Sequence, residues 1–228
     1  MAESSRTERT AASDDARGGR GGELRELVLA TSNRGKLADF ELLFAGSGVG
    51  LVLPADVGVE MDVEETGTTF EENALLKARA IAAATKRPTL ADDSGLAVYV
   101  LDGAPGVYSA RYAGPQCDDH ANNLKLLDAL GGESDRRAAF VCVLALVVPV
   151  EGTGTKPLEM IAEGRCEGTV ADRERGTNGF GYDAVFYRDD LGRTFGEASR
   201  EEKNARSHRG AAVRTLLADL RRRGLVAG

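Results

Sequence analysis

Five polar segments of this chain carry residue types that do chemistry on phosphates. The first is Thr31-Ser32-Asn33-Arg34-Gly35-Lys36, which follows the apolar run Leu27–Ala30 directly. An amphipathic pattern then starts, with Leu37, Phe40, Leu43 and Phe44 on one helical face. Strand, polar loop and helix N-terminus together offer free backbone N–H groups to an anion, and Arg34 and Lys36 add positive charge. The loop is not a Walker P-loop, because GxxxxGK[ST] is absent. The second segment is Glu64-Glu65-Thr66-Gly67, whose carboxylates suit either a metal or the start of the next helix. The third is Asp92-Asp93-Ser94-Gly95. Its composition is that of a turn, and adjacent carboxylates at a strand end also suit a hard cation such as Mg²⁺. The fourth, Gly176 to Asp183, has glycines that permit close backbone approach, and Phe180 offers a ring to stack on a base or to fill the core. The fifth, Ser199 to Gly210, gathers Lys203, Arg206, His208 and Arg209, and on its own reads as a solvated charge run.

Each segment has an ordinary explanation when taken singly. Together they are the parts of a magnesium–nucleoside polyphosphate site, provided the fold brings them to one sheet edge. The elements that must do so alternate along the chain. Strands are expected at Gly50–Pro54, Thr89–Ala91, Leu96–Leu101, Ala138–Val150, Leu158–Cys166 and Ala184–Tyr187. Helices are expected at Phe70–Thr85, opened by the capping box Thr69/Glu72, at Asp118–Leu130, and at Ser207–Arg223. Interleaved helices and strands give an α/β fold. The turn-rich link between the strands ending at Val150 and starting at Leu158 makes the sheet mixed.

Bulk properties narrow the function. Hydrophobic content is 42% and charged content 29%, as in a soluble globular protein. A net charge of −7 argues against non-specific nucleic-acid binding but leaves room for a local basic pocket. No run is long enough to span a membrane. The three cysteines form no CxxC pair, and with only two histidines a multi-histidine zinc site is excluded. Reduced thiols and the lack of a hydrophobic leader predict a cytoplasmic protein. Residues 1–22 are rich in Ser, Thr, Arg, Glu and Gly and are expected to be a disordered tail on a single domain spanning 23–228.

The stretches LATSNRGK, EETGTTFEENALLKARA, ADDSGLAV, GAPGVYSARYAG, GTNGFGYDAVF and SREEKNARSHRG, in this order, resemble the Ham1/RdgB-like inosine triphosphate pyrophosphatases. The resemblance covers about Leu27 to Leu220. It implies a long mixed sheet flanked by helices, in two lobes with the site in the cleft. It also implies hydrolysis of ITP, dITP, XTP and dXTP to the monophosphate and pyrophosphate, with Mg²⁺, by a homodimer. Carried over by motif, Thr31, Ser32, Asn33, Arg34, Gly35 and Lys36 contact the phosphates. Asp93 is the proton acceptor and a metal ligand, Glu64 is the other metal ligand, and Ser94 contacts substrate. Phe180, Gly181, Tyr182, Asp183, Lys203, His208 and Arg209 complete the nucleotide site. Asn178, Ala184 and Ser32 stand where the family commonly has Gly, Pro and Gly, and none of the three removes a catalytic group.

The chemistry of the bases suggests how such a site chooses. Hypoxanthine and xanthine present a 6-oxo acceptor where adenine presents an amino donor, so donors near His208 and Arg209 favour the oxo group. Two competing readings are a Maf-like nucleotide pyrophosphatase and a nucleotide-binding protein without turnover. The second needs no acidic groups, yet Glu64 and Asp93 are present.

Overall fold

A computed structural model of the chain describes residues 22–150 and 155–227. The expected tail, up to residue 21, lies outside the described residues. The chain forms strand β1 (Glu26–Leu29), helix α1 (Arg34–Phe44), β2 (Gly50–Val52), α2 (Phe70–Thr85), β3 (Thr89–Val98) and α3 (Asp119–Ala129). It continues through β4 (Arg137–Val148), β5 (Leu158–Val170), β6 (Phe186–Arg188), β7 (Arg193–Thr194), α4 (Arg200–Arg206) and α5 (His208–Arg222). The seven strands make one mixed sheet in the order β2-β1-β3-β4-β5-β6-β7. Strand β1 runs parallel to both β2 and β3, and every later pairing is antiparallel.

Alternation along the strands divides the core between the two faces. Leu27 and Leu29 of β1 and Cys142, Leu144 and Leu146 of β4 pack under α1 and α5, with Phe40, Phe44, Leu216 and Leu220. Val28 and Ala30, with Val143, Ala145 and Val147, pack under α2 against Ala74, Ala78 and Ile81. A third cluster, around Phe140, Phe186 and Phe195, lies against Leu126 of α3 and Leu130, which caps that helix.

The largest departure from expectation is β3. The sequence suggests two short strands joined by a turn at Asp92–Gly95. The structure instead has one continuous strand, Thr89–Val98. Its antiparallel partner β4 explains this. Asp92 pairs with Leu144, Asp93 with Val143 and Ser94 with Cys142, so the ladder passes straight through the polar residues. The pleat then turns the two carboxylates to opposite faces. Asp92 shares the parity of Leu90, on the α1/α5 side, and Asp93 that of Ala91, on the α2 side. The end of the expected second strand, Tyr99–Leu101, forms a 3₁₀ turn. Further differences are smaller. Strand β5 runs on to Val170, and β6 begins at Phe186 because Gly181–Ala184 is a 3₁₀ turn. The charge run after Ser199 is a separate helix, α4, opened by the Ser199/Glu202 capping box.

Helix α5 sits close to the sheet because residue 164 of β5 is glycine. A Cβ there would collide with the His208 carbonyl oxygen and the Ala212 nitrogen. Gly164→Ala is expected to destabilise the protein by about 1–3 kcal/mol, the scale of overpacking, and to displace the start of α5. Urea denaturation of the variant measures this. An unchanged midpoint would mean that α5 does not depend on this close approach.

Candidate active site

The two faces of β3 carry two different ionic clusters. On the α1/α5 side, Lys36 Nζ lies 3.0 Å from Asp92 Oδ1, and the Ser94 hydroxyl donates to Asp92 Oδ2 at 2.9 Å. Arg209 Nε stands 3.5 Å from the same oxygen. Asp92 is buried, which by itself raises its pKa. The surrounding Lys36, Arg209 and Lys77 outweigh burial and hold the carboxyl well below the usual carboxylate range. Asp92 is thus a fixed anion that anchors the polar loop after β1. Asn33 caps α1 by accepting the Lys36 N–H at 3.1 Å, and Thr31 Oγ1 accepts the Asn33 N–H at 3.1 Å. These bonds leave Ser32 and Arg34 exposed at the helix start.

On the α2 side, Lys77 Nζ donates to Asp93 Oδ1 at 3.0 Å and to Glu65 Oε1 at 2.9 Å. Asn73 Nδ2 donates to Asp93 Oδ2 at 3.3 Å. Burial raises the Asp93 pKa. Lys77 opposes this, Glu65 adds to it, and the net shift is upward. Burial disfavours the Lys77 ammonium, but Asp93, Asp92 and Glu65 more than restore it. Glu64, the ligand implied by motif, is exposed, and its neighbour Glu65 is the one engaged with Lys77. Among the described residues no three Cys, His, Asp or Glu side chains converge as a ready-made metal cage.

The later segments complete the α1/α5 side. Asp183 Oδ2 accepts from Lys203 Nζ at 2.6 Å and from the Phe180 N–H at 2.9 Å. Burial raises the Asp183 pKa despite Lys203. Lys203 Nζ and the Arg209 guanidinium lie 4.7 and 5.0 Å from the Phe180 ring centroid. The ring also approaches Gly35, where a Cβ would stand 3.2 Å from Phe180 Cδ1. Phe180 therefore bridges the first polar segment and the basic one. Tyr182 is buried and donates its hydroxyl to the Ser109 carbonyl at 2.9 Å. His208 is buried and stacks on Phe140 with centroids 4.7 Å apart. Burial and the cations Arg209 and Lys203 push its pKa well below 6.5, so the ring is neutral at neutral pH.

Four of the five segments thus meet around β3, and the Glu64 segment joins them through Glu65. Sequence reasoning missed Asp39, Asn73, Lys77 and Asn204. Asp39 is buried between cations, 3.6 Å from Arg209 and 3.8 Å from Lys203. A signal existed for three of the four. Asp39, Asn73 and Lys77 interrupt otherwise apolar helical faces, where a polar residue has to find a partner. Several buried atoms here have no hydrogen-bond partner among the described residues: Asp39 Oδ2, both amide atoms of Asn204, both ring nitrogens of His208, and Arg209 Nε. Such a concentration of unmatched donors and acceptors is rare away from binding sites.

A model of the Ham1 family matches residues 27–219. The chain belongs to the Ham1 family. A dITP/XTP pyrophosphatase of Staphylococcus aureus (strain MRSA252) is 45% identical over 197 residues, covering 86% of this chain and 97% of that protein. The Ham1 protein structure from Coxiella burnetii superposes with a TM-score of 0.77 at 44% identity, covering 87% of this chain and 100% of that one. The Staphylococcus aureus Ham1 structure gives 0.74 at 44%, covering 86% and 98%. The Ham1 match begins at the first core residue of β1 and ends inside α5. It therefore includes every ionic contact described above. No described helix is long and apolar enough to cross a membrane.

Proposed function

We propose that this protein is a cytoplasmic, homodimeric, Mg²⁺-dependent pyrophosphatase acting on dITP, ITP, XTP and dXTP. The observation that carries this reading is the division of labour on β3. Asp92 pins the anion-binding loop through Lys36, while one residue on Asp93 faces the other way with Lys77, Asn73 and Glu65. A carboxylate whose pKa is raised by burial is a better proton acceptor than an exposed one. In this reading Asp93 accepts a proton from the attacking water, and Lys77 holds its carboxylate in place. Lys36, Lys203 and the N–H groups at the start of α1 stabilise charge on the departing pyrophosphate.

The donor set fits a hard divalent cation. It is made of carboxylate oxygens, and Asp93 retains acceptor capacity beyond its two hydrogen bonds. Glu64 and Asp93 would hold the metal, with Glu65 adjacent. When bound, Mg²⁺ neutralises phosphate charge and acidifies water.

The test is a substrate panel with pyrophosphate detection. ITP, dITP and XTP should exceed ATP in kcat/KM by up to about 10⁴-fold, because a site built to pair with the 6-oxo group rejects an analogue that lacks it. GTP shares that group and should be disfavoured through its 2-amino group instead. EDTA should stop turnover and Mg²⁺ should restore it. Equal cleavage of ATP and ITP would overturn the substrate class, and full activity in excess EDTA would overturn the metal. Sedimentation velocity reads the dimer, which a monomer at micromolar concentration would refute.

A further inference from the structure

The loop from Glu174 to Gly181 relies on left-handed backbone, since Gly176, Gly179 and Gly181 all adopt positive φ, between +61° and +78°. Such backbone is entropically expensive to hold in one place. Yet Phe180, inside this run, is set against Gly35, Lys203 and Arg209. Asp183 holds the Phe180 N–H at 2.9 Å and the Gly196 carbonyl accepts the Asn178 N–H at 2.9 Å, and α3 ties down the two ends of the loop. Asp119 Oδ2 accepts the Gly181 N–H at 2.7 Å. Asn123 Nδ2 donates to the Gly181 carbonyl at 3.2 Å and to Glu174 Oε1 at 2.7 Å. His120 Nδ1 holds the other Glu174 oxygen at 2.7 Å. Asn123 thus staples the two ends of the loop together, and Gly181 is gripped by both its N–H and its C=O.

The staple has a structural penalty. Asn123 is buried in register with Leu126 and Leu127 on α3, where an apolar side chain would pack. Its Oδ1 is buried and has no hydrogen-bond partner among the described residues, which is destabilising. Its neighbour Asn122 shows the contrast. That amide is satisfied on both atoms, by the Ala113 N–H and the Ala110 carbonyl. A residue kept at such a cost, at the mouth of the loop that carries Phe180, is explained by what it positions.

We propose that Asn123, with Asp119 and Glu174, is a positioning device for nucleobase binding. It acts by holding Phe180 where the base is received and has no part in binding the phosphates. The inference rests on the nucleotide-hydrolase reading above. The phosphate-binding segment, Thr31–Lys36, is anchored separately through Asp92. Base and phosphate affinities should therefore respond differently when the staple is cut.

The experiment compares KM for ITP with the inhibition constant of inorganic tripolyphosphate, which carries the phosphates without the base. Asn123→Ala and Glu174→Ala should each raise KM roughly 10-fold, the equivalent of losing one or two partly buried hydrogen bonds. The tripolyphosphate constant should stay within about 2-fold and kcat within about 3-fold, because base binding is lost equally from the ground state and the transition state. Glu174→Gln keeps an acceptor for Asn123 and should behave as wild type. A parallel rise in KM and in the tripolyphosphate constant, or an unchanged KM, would overturn the proposal. If Asn123→Ala fails to fold, the Glu174 pair decides alone. Should wild type cleave ATP as fast as ITP, the substrate class falls, and the same divergence measured with ATP still decides the staple.

Discussion

Asp93→Asn is expected to lower kcat by roughly 100-fold or more, the scale of losing a general base. The substitution is nearly isosteric, so its effect separates charge and proton acceptance from packing. It leaves Lys77 with Glu65 and a neutral amide as its direct partners, so the ammonium loses the more buried of its two paired carboxylates. Ground-state binding should suffer less, because Lys36 and the start of α1 are held by Asp92 on the other face of the strand. The pH profile provides an independent readout. Burial raises the Asp93 pKa above 3.8, so the wild-type acid limb should lie above the ordinary aspartate range, with kcat rising as Asp93 loses its proton. The variant should lack that limb. Near-normal turnover would move proton acceptance elsewhere, with Glu65 the next candidate by position.

The second large effect is at Arg209. The sequence reading makes this residue a reader of the 6-oxo group. In the structure its charge first serves two buried carboxylates, Asp39 and Asp92, at 3.6 and 3.5 Å. Removing one partner of a buried ionic cluster typically costs on the order of 3–5 kcal/mol, because the remaining charges stay buried without compensation. Arg209→Ala should therefore lower Tm by roughly 10 °C in a domain of this size. It should also slow ITP hydrolysis more than ATP hydrolysis, which narrows the ratio between them. Arg209→Lys keeps the charge without the planar fork and should recover most of the stability but not the ratio. Calorimetry and the nucleotide panel check both. A variant with wild-type Tm would show that Asp39 and Asp92 are satisfied by Lys36, Arg200 and Lys203.

Where local chemistry decides the outcome, the sequence was sufficient. Helix α2 begins and ends as expected because Thr69 and Glu72 cap it and the Ala74, Ala78, Ile81 stripe persists to its end. The loop after β1 is similar, since Asn33 is a strong cap. Asp92–Gly95 was not legible, because its turn composition is overruled by pairing with β4, about fifty residues away. The same non-local pairing separates the two aspartates, which look like a pair when written side by side. Lys77 and Asn73 were hidden for a related reason. On a helical wheel they are blemishes in an apolar face, and only the packing of α2 over β3 gives them a partner. The staple from Asn123 to Glu174 and Gly181 joins residues more than fifty positions apart, and no local pattern announces it.

The meeting of Lys36, Asp92 and Arg209 also constrains how this protein comes into being. These three residues come from the first, middle and last parts of the chain, on α1, β3 and α5. Contacts of such long range form late, after most of the entropy of loop closure has been overcome. During synthesis β1, α1 and β3 leave the ribosome well before α5 does, so Asp92 and Lys36 must wait for their third partner. A nascent or truncated chain that stops before α5 exposes the apolar face of β4 and β5 that α5 covers, and it holds an incomplete charge cluster. Competence for catalysis is therefore acquired in the final step of folding. Partly made chains of this hydrolase should be inert toward the nucleotide pool and should be the species that chaperones and proteases recognise.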